Sequence, residues 1–220
     1  MLKGIRCGKL GRMSSTAGSA GSLRERKRDR TRKALIDAAI DLFERNGYDG
    51  TTVADIAEAA DIGTRTFFSY FASKEELLFP ESDARVTAAV TAIANRKPGD
   101  RPADVLLRAL RDVGAADGEP DDMVDRVVAV RVRLFRTVPA VRGRALQIQL
   151  DAQREIAGHL QRAFPAELDQ VTAAALVGAF IGAVSAALQV LLDDPDAPAD
   201  PDNLRRQLRR ATDLALRPWQ

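Results

Sequence analysis

Thr64, Arg65, Thr66, Phe68 and Ser69 fall within one short segment, GTRTFFSYFASKEEL, from Gly63 to Leu77. Their chemistry suits the edge of a base pair. Arginine can donate two parallel hydrogen bonds to guanine O6 and N7, and threonine offers a hydroxyl and a methyl that fits the methyl of thymine. Phe67 and Phe71 are four residues apart and can turn together into a small core. Tyr70 and Lys74 fall at the exit of the segment, where a phosphate backbone would pass. Each residue also has an ordinary use. Thr64 can serve only as a helix N-cap, Phe68 as a packed surface aromatic and Arg65 as a solvated charge.

Other chemistry is poorly represented. The 220 residues contain one cysteine, Cys7, and one histidine, His159. A Cys/His nucleophilic site is therefore implausible, and no metal-ligand spacing, phosphate loop or nucleophile elbow is present. The expectation is no catalytic residue, no metal and no cofactor. One cysteine cannot form an internal disulfide, and no signal peptide is read, which points to the cytoplasm. Charge is unevenly distributed. Residues 1–33 hold eleven Lys/Arg against Glu25 and Asp29, a net of +9, leaving −7 of the overall +2 for the rest. A basic arm on an acidic body fits a polyanion at the N-terminal end, with Arg30 among the contacting residues.

The elements that must position these residues read as helices. Residues 1–22 are rich in Gly, Ser and Ala without apolar periodicity, and read as a disordered basic tail. A helix follows from Leu23 to Asn46, with Leu35, Ala39, Leu42 and Phe43 on one stripe and Gly47 as its C-terminal cap. Thr52 and Asp55 suit the start of a short second helix carrying Val53, Ile56, Ala57 and Ala60 inward. Asp61-Ile62-Gly63 breaks it, and a third short helix runs from Thr64 to Tyr70. Ser73 to Glu76 reads as a capping box that launches another helix from Lys74. Helix, short helix, tight turn and short helix make the helix-turn-helix arrangement, whose second short helix enters the major groove.

Residues 24–79 closely resemble the DNA-binding domain of the TetR/AcrR family of bacterial repressors. The resemblance rests on Ala38-Ala39, Leu42-Phe43, Asn46-Gly47-Tyr48, Thr51-Thr52-Val53, Ile56-Ala57, Ala60, Tyr70-Phe71 and Ser73-Lys74-Glu75. It implies that Thr52 and Lys74 contact phosphates and that the helix from Thr64 reads bases. Two departures stand out. Gly63 occupies a position where the family often has a capping Ser, and Phe68 one where Tyr is common. The RTFF-YF-SKE variant is similar to an actinobacterial-looking subgroup that includes mycofactocin-system regulators.

Beyond residue 80 the chain reads as helices only, at roughly 81–96, 102–113, 121–137, 140–164, 166–193 and 203–217. The fold class expected is thus all-α: a helix-turn-helix domain at 23–80 and an effector-binding and dimerisation bundle at 81–220. Val171 to Leu192 carries no charge, which meets the length of a membrane span. Its many alanines and its acidic flanks argue instead for a helix buried on all sides. Gly178, Gly182 and Ala186 recur every four residues and would let another helix approach closely. In the family the last two long helices form the dimer interface, here about 166–193 and 203–217.

Residues 131–160 resemble the effector-binding domain of the same subgroup, described as taking acyl-CoA-like ligands, through Arg131, Leu134, Pro139-Ala140 and Arg142. An acyl chain needs an apolar tunnel, which Val127, Val130, Leu134, Phe180, Ile181 and Val184 could line. A CoA head group needs cations, which Arg126, Arg131, Arg133, Arg136 or Arg142 could supply. The same residues also suit ordinary core and a solvated face. The expected partners are palindromic double-stranded operator DNA, a second copy of the chain and a hydrophobic small molecule, with no membrane. The expected function is a sequence-specific regulator, a repressor released by its effector. The effector is a long-chain acyl-CoA or, alternatively, an uncharged hydrophobic drug or metabolite. A helical interaction protein or membrane-associated protein is the remote alternative, and it leaves the basic arm unexplained.

The arm gives the first test. Deleting residues 1–30 is expected to weaken binding to all DNA sequences and to flatten the dependence of log K on log salt. Deleting 1–12 alone is expected to change neither. An unchanged salt slope after the longer deletion would make the arm a bystander.

Overall fold

The computed structural model describes residues 19–80, 82–115, 122–193 and 201–219, and every regular element among them is helical. Helix α1, Ser19–Asn46, begins four residues ahead of the expected start. Residues 19–22 of the expected tail are therefore helical. Residues 1–18, with Cys7, lie outside the described residues. Gly47 ends α1 with φ of 75°, a left-handed conformation that glycine adopts without strain.

Helix α2, Val53–Ala59, starts with a complete capping box. Asp55 N–H donates to Thr52 Oγ1 at 3.2 Å, and Thr52 N–H donates to Asp55 Oδ2 at 2.8 Å. The break after α2 uses Asp61 at φ 54°, not Gly63, which is extended at φ −77° and caps the next helix without a side chain. Aspartate is among the few residues that tolerate this left-handed region.

Helix α3 spans only Thr64–Phe67, shorter than the expected run to Tyr70. The ladder tightens there. Ser69 N–H donates to Thr66 O and Tyr70 N–H to Phe67 O, three residues back, at 3.0 and 2.8 Å. Ser69 Oγ also donates to Thr66 O at 2.6 Å. The expected capping box at Ser73 is not formed either. Ser73 makes no side-chain cap, and Glu76 accepts from Ala72 N–H instead. The next element is a 3₁₀ turn, Lys74–Leu78, rather than a helix.

The rest of the chain matches the expected helices closely. It forms α4 (Ser82–Ala94), α5 (Pro102–Ala115), α6 (Asp122–Thr137), α7 (Pro139–Ala163), α8 (Gln170–Asp193) and α9 (Pro201–Leu216). Pro139 opens α7, where its missing N–H costs nothing.

Packing does not follow the expected boundary at residue 80. One core joins Leu35, Ile40, Phe43, Ile56, Phe67, Phe71, Leu77 and Leu78 to Val127, Val130 and Leu134 of α6 and Val141 of α7. A second core joins α4, α5, the far half of α7, α8 and Leu216. Helix α7 alternates between them, with Val141 in the first and Ile156, Ala157 and Leu160 in the second.

Helix α8 is long and apolar enough to cross a membrane by length and composition. It is not buried on all sides within one protomer. Ala173, Leu176, Val177 and Phe180 are buried, whereas Val171 and Val190 are 76% and 70% exposed. An added Cβ at Gly178 or Gly182 would meet nothing within 4 Å, and Ala186 is exposed.

The shared core makes a specific claim about Leu134. Leu134→Ala is expected to cost about 2–5 kcal/mol in denaturant unfolding. It is also expected to speed amide exchange in α1, although Leu134 lies far outside residues 23–80. Unchanged exchange in α1 would show that α6 is not part of that core.

Candidate nucleic-acid interface

The outer side of α3 and its following turn presents Thr64, Arg65, Thr66, Phe68 and Ser69, all exposed, while Phe67 and Phe71 are buried beneath them. Phe67 meets Phe71 at a centroid distance of 6.0 Å and Phe68 edge-on at 5.4 Å. The two inward rings fix the rotation of the segment, and this directs the polar set outward. Phe68 is 57% exposed, too much for a core residue and well placed for an apolar contact in a groove. The Ser69 hydroxyl proton is engaged by Thr66 O, so this side chain reaches outward chiefly as an acceptor.

Basic side chains flank this face. Arg28, in the exposed first half of α1, lies 6.0 Å from the Tyr70 ring centroid, and Arg32 lies 5.0 Å from that of Phe71. Arg32 also donates to Pro80 O at 3.3 Å. Arg30 is exposed on the same helix. The basic stretch of α1 therefore runs beside the end of this exposed segment. Tyr70 itself is half-buried.

Thr52 and Lys74 have local duties. Thr52 Oγ1 donates to Asp55 Oδ2 at 2.7 Å. The Asp55 carboxyl is held below its usual range by the Thr52 hydroxyl and then by the Thr52 N–H. Lys74 Nζ donates to Tyr48 O and Thr51 O, both at 2.8 Å, and sits 3.9 Å from the Tyr48 ring centroid. Two of its three donors thus bind the turn that launches α2. Beside it the Tyr48 hydroxyl donates to Glu75 Oε1. Burial pushes the phenol well above its usual value, and Glu75 adds to the effect. Burial alone would raise Glu75, but hydrogen bonds from Ser73 and Tyr48 outweigh it and bring this carboxyl below its usual range.

The residues expected to line an effector tunnel are not brought together. Val127, Val130 and Leu134 belong to the core of the DNA-binding helices. Phe180, Ile181 and Val184 belong to the second core. The arginines are engaged nearby. Arg126 pairs with Asp41 at 2.7 Å and Glu44 at 2.5 Å. Arg131 donates to Leu78 O at 3.1 Å and lies over the Phe79 ring. Arg142 donates to Phe135 O and Arg136 O. A shallow cleft of about 260 Å³ between α4 and α7, lined by Val90, Ile93, Ala94, Arg96, His159, Arg162 and Ala163, shares no residue with the expected set. Sequence reasoning gave these arginines a ligand role because a lone chain cannot show that Asp41 and Glu44 lie opposite Arg126, or that backbone carbonyls accept from Arg131 and Arg142. It placed Arg28 and Arg32 only within the basic arm and Tyr48 only within the turn motif, and it gave no role to Arg144, whose partner Glu76 lies 68 residues away.

Residues 35–79 match the family described as bacterial regulatory proteins, tetR family. The HTH-type transcriptional regulator TcmR of Streptomyces glaucescens is 37% identical over 150 residues, which cover 67% of this chain and 64% of TcmR. The chain thus spans just under two thirds of that relative's length. The regulator MftR of Mycobacterium tuberculosis, named for mycofactocin biosynthesis, is 44% identical over 52 residues, 24% of this chain and 26% of MftR. Among solved structures, FadR of Thermus thermophilus, a TetR family repressor in complex with lauroyl-CoA, aligns with a TM-score of 0.53 at 20% identity. That alignment covers 84% of this chain and 93% of FadR, and it shows the fold. The named relatives are transcriptional regulators rather than enzymes.

Arg65 gives the test of base reading. Arg65→Ala is expected to cost about 1–3 kcal/mol, concentrated at one base position of each half-site in a substituted-operator series. Equal weakening on operator and random DNA would reduce Arg65 to a phosphate contact.

Proposed function

We propose that this chain, a member of the TetR family of bacterial regulatory proteins, is a homodimeric repressor that leaves its operator when a hydrophobic small molecule binds. The observation that carries the reading is the exposed set Thr64, Arg65, Thr66, Phe68 and Ser69, held outward by the buried Phe67 and Phe71 beside the basic stretch of α1. Phosphate contacts from Arg28, Arg30, Tyr70 and the remaining donor of Lys74 set the register, and the outer side chains read bases. Two copies place two such segments one helical turn apart, about 34–36 Å, which matches a palindrome. The open face of α8 at Gly178, Gly182 and Ala186 supports the second copy, because small residues let a helix approach closely. A DNA-bound regulator of this kind works in the cytoplasm, on the nucleoid.

An effector acts by binding one dimer arrangement better than the other. FadR was solved with lauroyl-CoA, which makes long-chain acyl-CoA the first ligand to test. The pairing of Arg126, Arg131 and Arg142 within the protein favours an uncharged hydrophobe as the second reading, since those cations are not aimed at a head group.

Labelled DNA from upstream of the protein's own gene is the probe. The expected result is a saturable shift with two protomers per site that competitor DNA of random sequence does not abolish. Long-chain acyl-CoA at micromolar levels, corresponding to about 8 kcal/mol of binding, is expected to reverse it. Release by neutral hydrophobes but not by acyl-CoA would decide for the second reading. Equal binding to random DNA would refute the operator-specific function.

A further inference from the structure

Arg144 stands in the first turns of α7, at the end that meets the DNA-binding helices. Its Nη2 donates to Glu76 Oε1 at 2.5 Å, and its Nη1 donates to Gln147 Oε1 at 3.1 Å. The other oxygen of the same carboxylate, Glu76 Oε2, accepts from Ala72 N–H at 2.7 Å. Ala72 directly follows Phe71, the ring that closes the reading segment on its core. One carboxylate thus joins a guanidinium of α7 to the backbone at the exit of the base-reading segment. Both partners are mostly shielded, with side chains 29% and 21% exposed. A charge-assisted contact of this geometry is directional as well as attractive.

The other cross-contacts grip elsewhere. Arg126 holds Asp41 and Glu44 on α1, and Arg131 holds Leu78 O at the far end of the 3₁₀ turn. Helix α7 is anchored at its other end in the second core through Ile156, Ala157 and Leu160. From Arg144 to Leu160 the axis runs about 24 Å, so a tilt of about 5° about the far end would carry Arg144, with Val141 beside it in the first core, by about 2 Å unless that core moves along. That displacement exceeds the tolerance of a hydrogen bond of this length.

Resting on the proposed function, we infer that Arg144 is a positioning residue for operator reading. Through Glu76 it fixes where the reading segment ends, and it makes the orientation of α7 felt at Ala72. It touches no DNA in this scheme. A salt bridge serving stability alone would predict a different pattern of losses, and the test separates the two.

Arg144→Gln, Glu76→Gln and the double variant are compared with the parent and with Arg144→Lys in the full chain. The Glu76→Gln amide can still accept from Ala72 N–H while losing the charge pair. The expected outcome is an operator affinity about tenfold weaker for Arg144→Gln, binding to random DNA within about twofold, and a double variant no worse than the worse single one. Arg144→Lys is expected to recover part of the loss. In the DNA-free protein, amide exchange at Ala72 is expected to quicken in Arg144→Gln while α1 exchange stays as in the parent. Unchanged Ala72 exchange overturns the inference, as do losses shared equally by operator and random DNA. Should the parent itself not discriminate operator from random DNA, the proposed function fails, and Ala72 exchange still decides whether Arg144 positions this backbone.

Discussion

Val127, Val130 and Leu134 of α6, with Val141 of α7, share one core with Leu35, Ile40 and Phe43 of α1. Burying four such side chains contributes about 6–12 kcal/mol relative to exposing them. Whole domains are stable by about 5–15 kcal/mol, and a unit of some 60 residues is marginal by itself. The DNA-binding helices therefore cannot be treated as a free module that happens to be tethered. Their core is completed by helices from the other half of the chain, so a displacement of α6 or the start of α7 is a displacement of the core beneath α3.

Charged contacts across the same boundary do a different job. Arg126 is about one third exposed, as are its partners or more so, and ion pairs of that kind contribute little net stability. Its guanidinium stays charged at any working pH, with Glu44 and then Asp41 raising its value further, so it offers no titrating switch. What such pairs supply is direction: they choose one rotation of α6 on α1 among those the aliphatic contacts allow. Around Tyr48 the polar groups are tied more closely. Because Glu75 is lowered in the folded state, its contribution is present above the ordinary carboxylate range and fades as pH falls through the lowered value. Tyr48, raised in the folded state, contributes below the ordinary phenol value and loses that only at more alkaline pH. The knot that aims α2 is thus intact across neutral pH.

Helical periodicity made most of the fold legible. The bounds of α4 to α9 fall within a few residues of those expected from apolar spacing and Pro/Gly breaks, and the outward set on α3 follows from Phe67 and Phe71 alone. What the sequence could not show depends on contacts distant along the chain. Glu76 looked like half of a capping box, yet one of its oxygens bonds Ala72 N–H and the other Arg144, 68 residues away. Val127, Val130 and Leu134 have the spacing of any helix face, and nothing local says which core they enter. Within the expected break at Asp61-Ile62-Gly63 it is Asp61 that takes the left-handed conformation, where Ile62 N–H closes on Ala57 O at 2.9 Å.

Helix α8 is buried on one side only. Its inner residues Leu176, Val177 and Phe180 are buried, while its outer face, from Val171 past Gly178 and Gly182 to Val190, is apolar and open. A contiguous apolar face costs free energy in water, and a matching surface would relieve it. The two-fold arrangement proposed for DNA binding supplies one, since the same face on a second copy is self-complementary by symmetry. Helix α8 packs on α7, where Ser185 Oγ donates to Gln149 Oε1 at 3.4 Å, and α7 carries Arg144 to the reading segment. Rearranging the proposed dimer contact would therefore move the same helix that contacts Glu76, the acceptor of Ala72 N–H. On that proposal the distance between two half-sites and the shape of each proposed reading segment depend on one mechanical element rather than two.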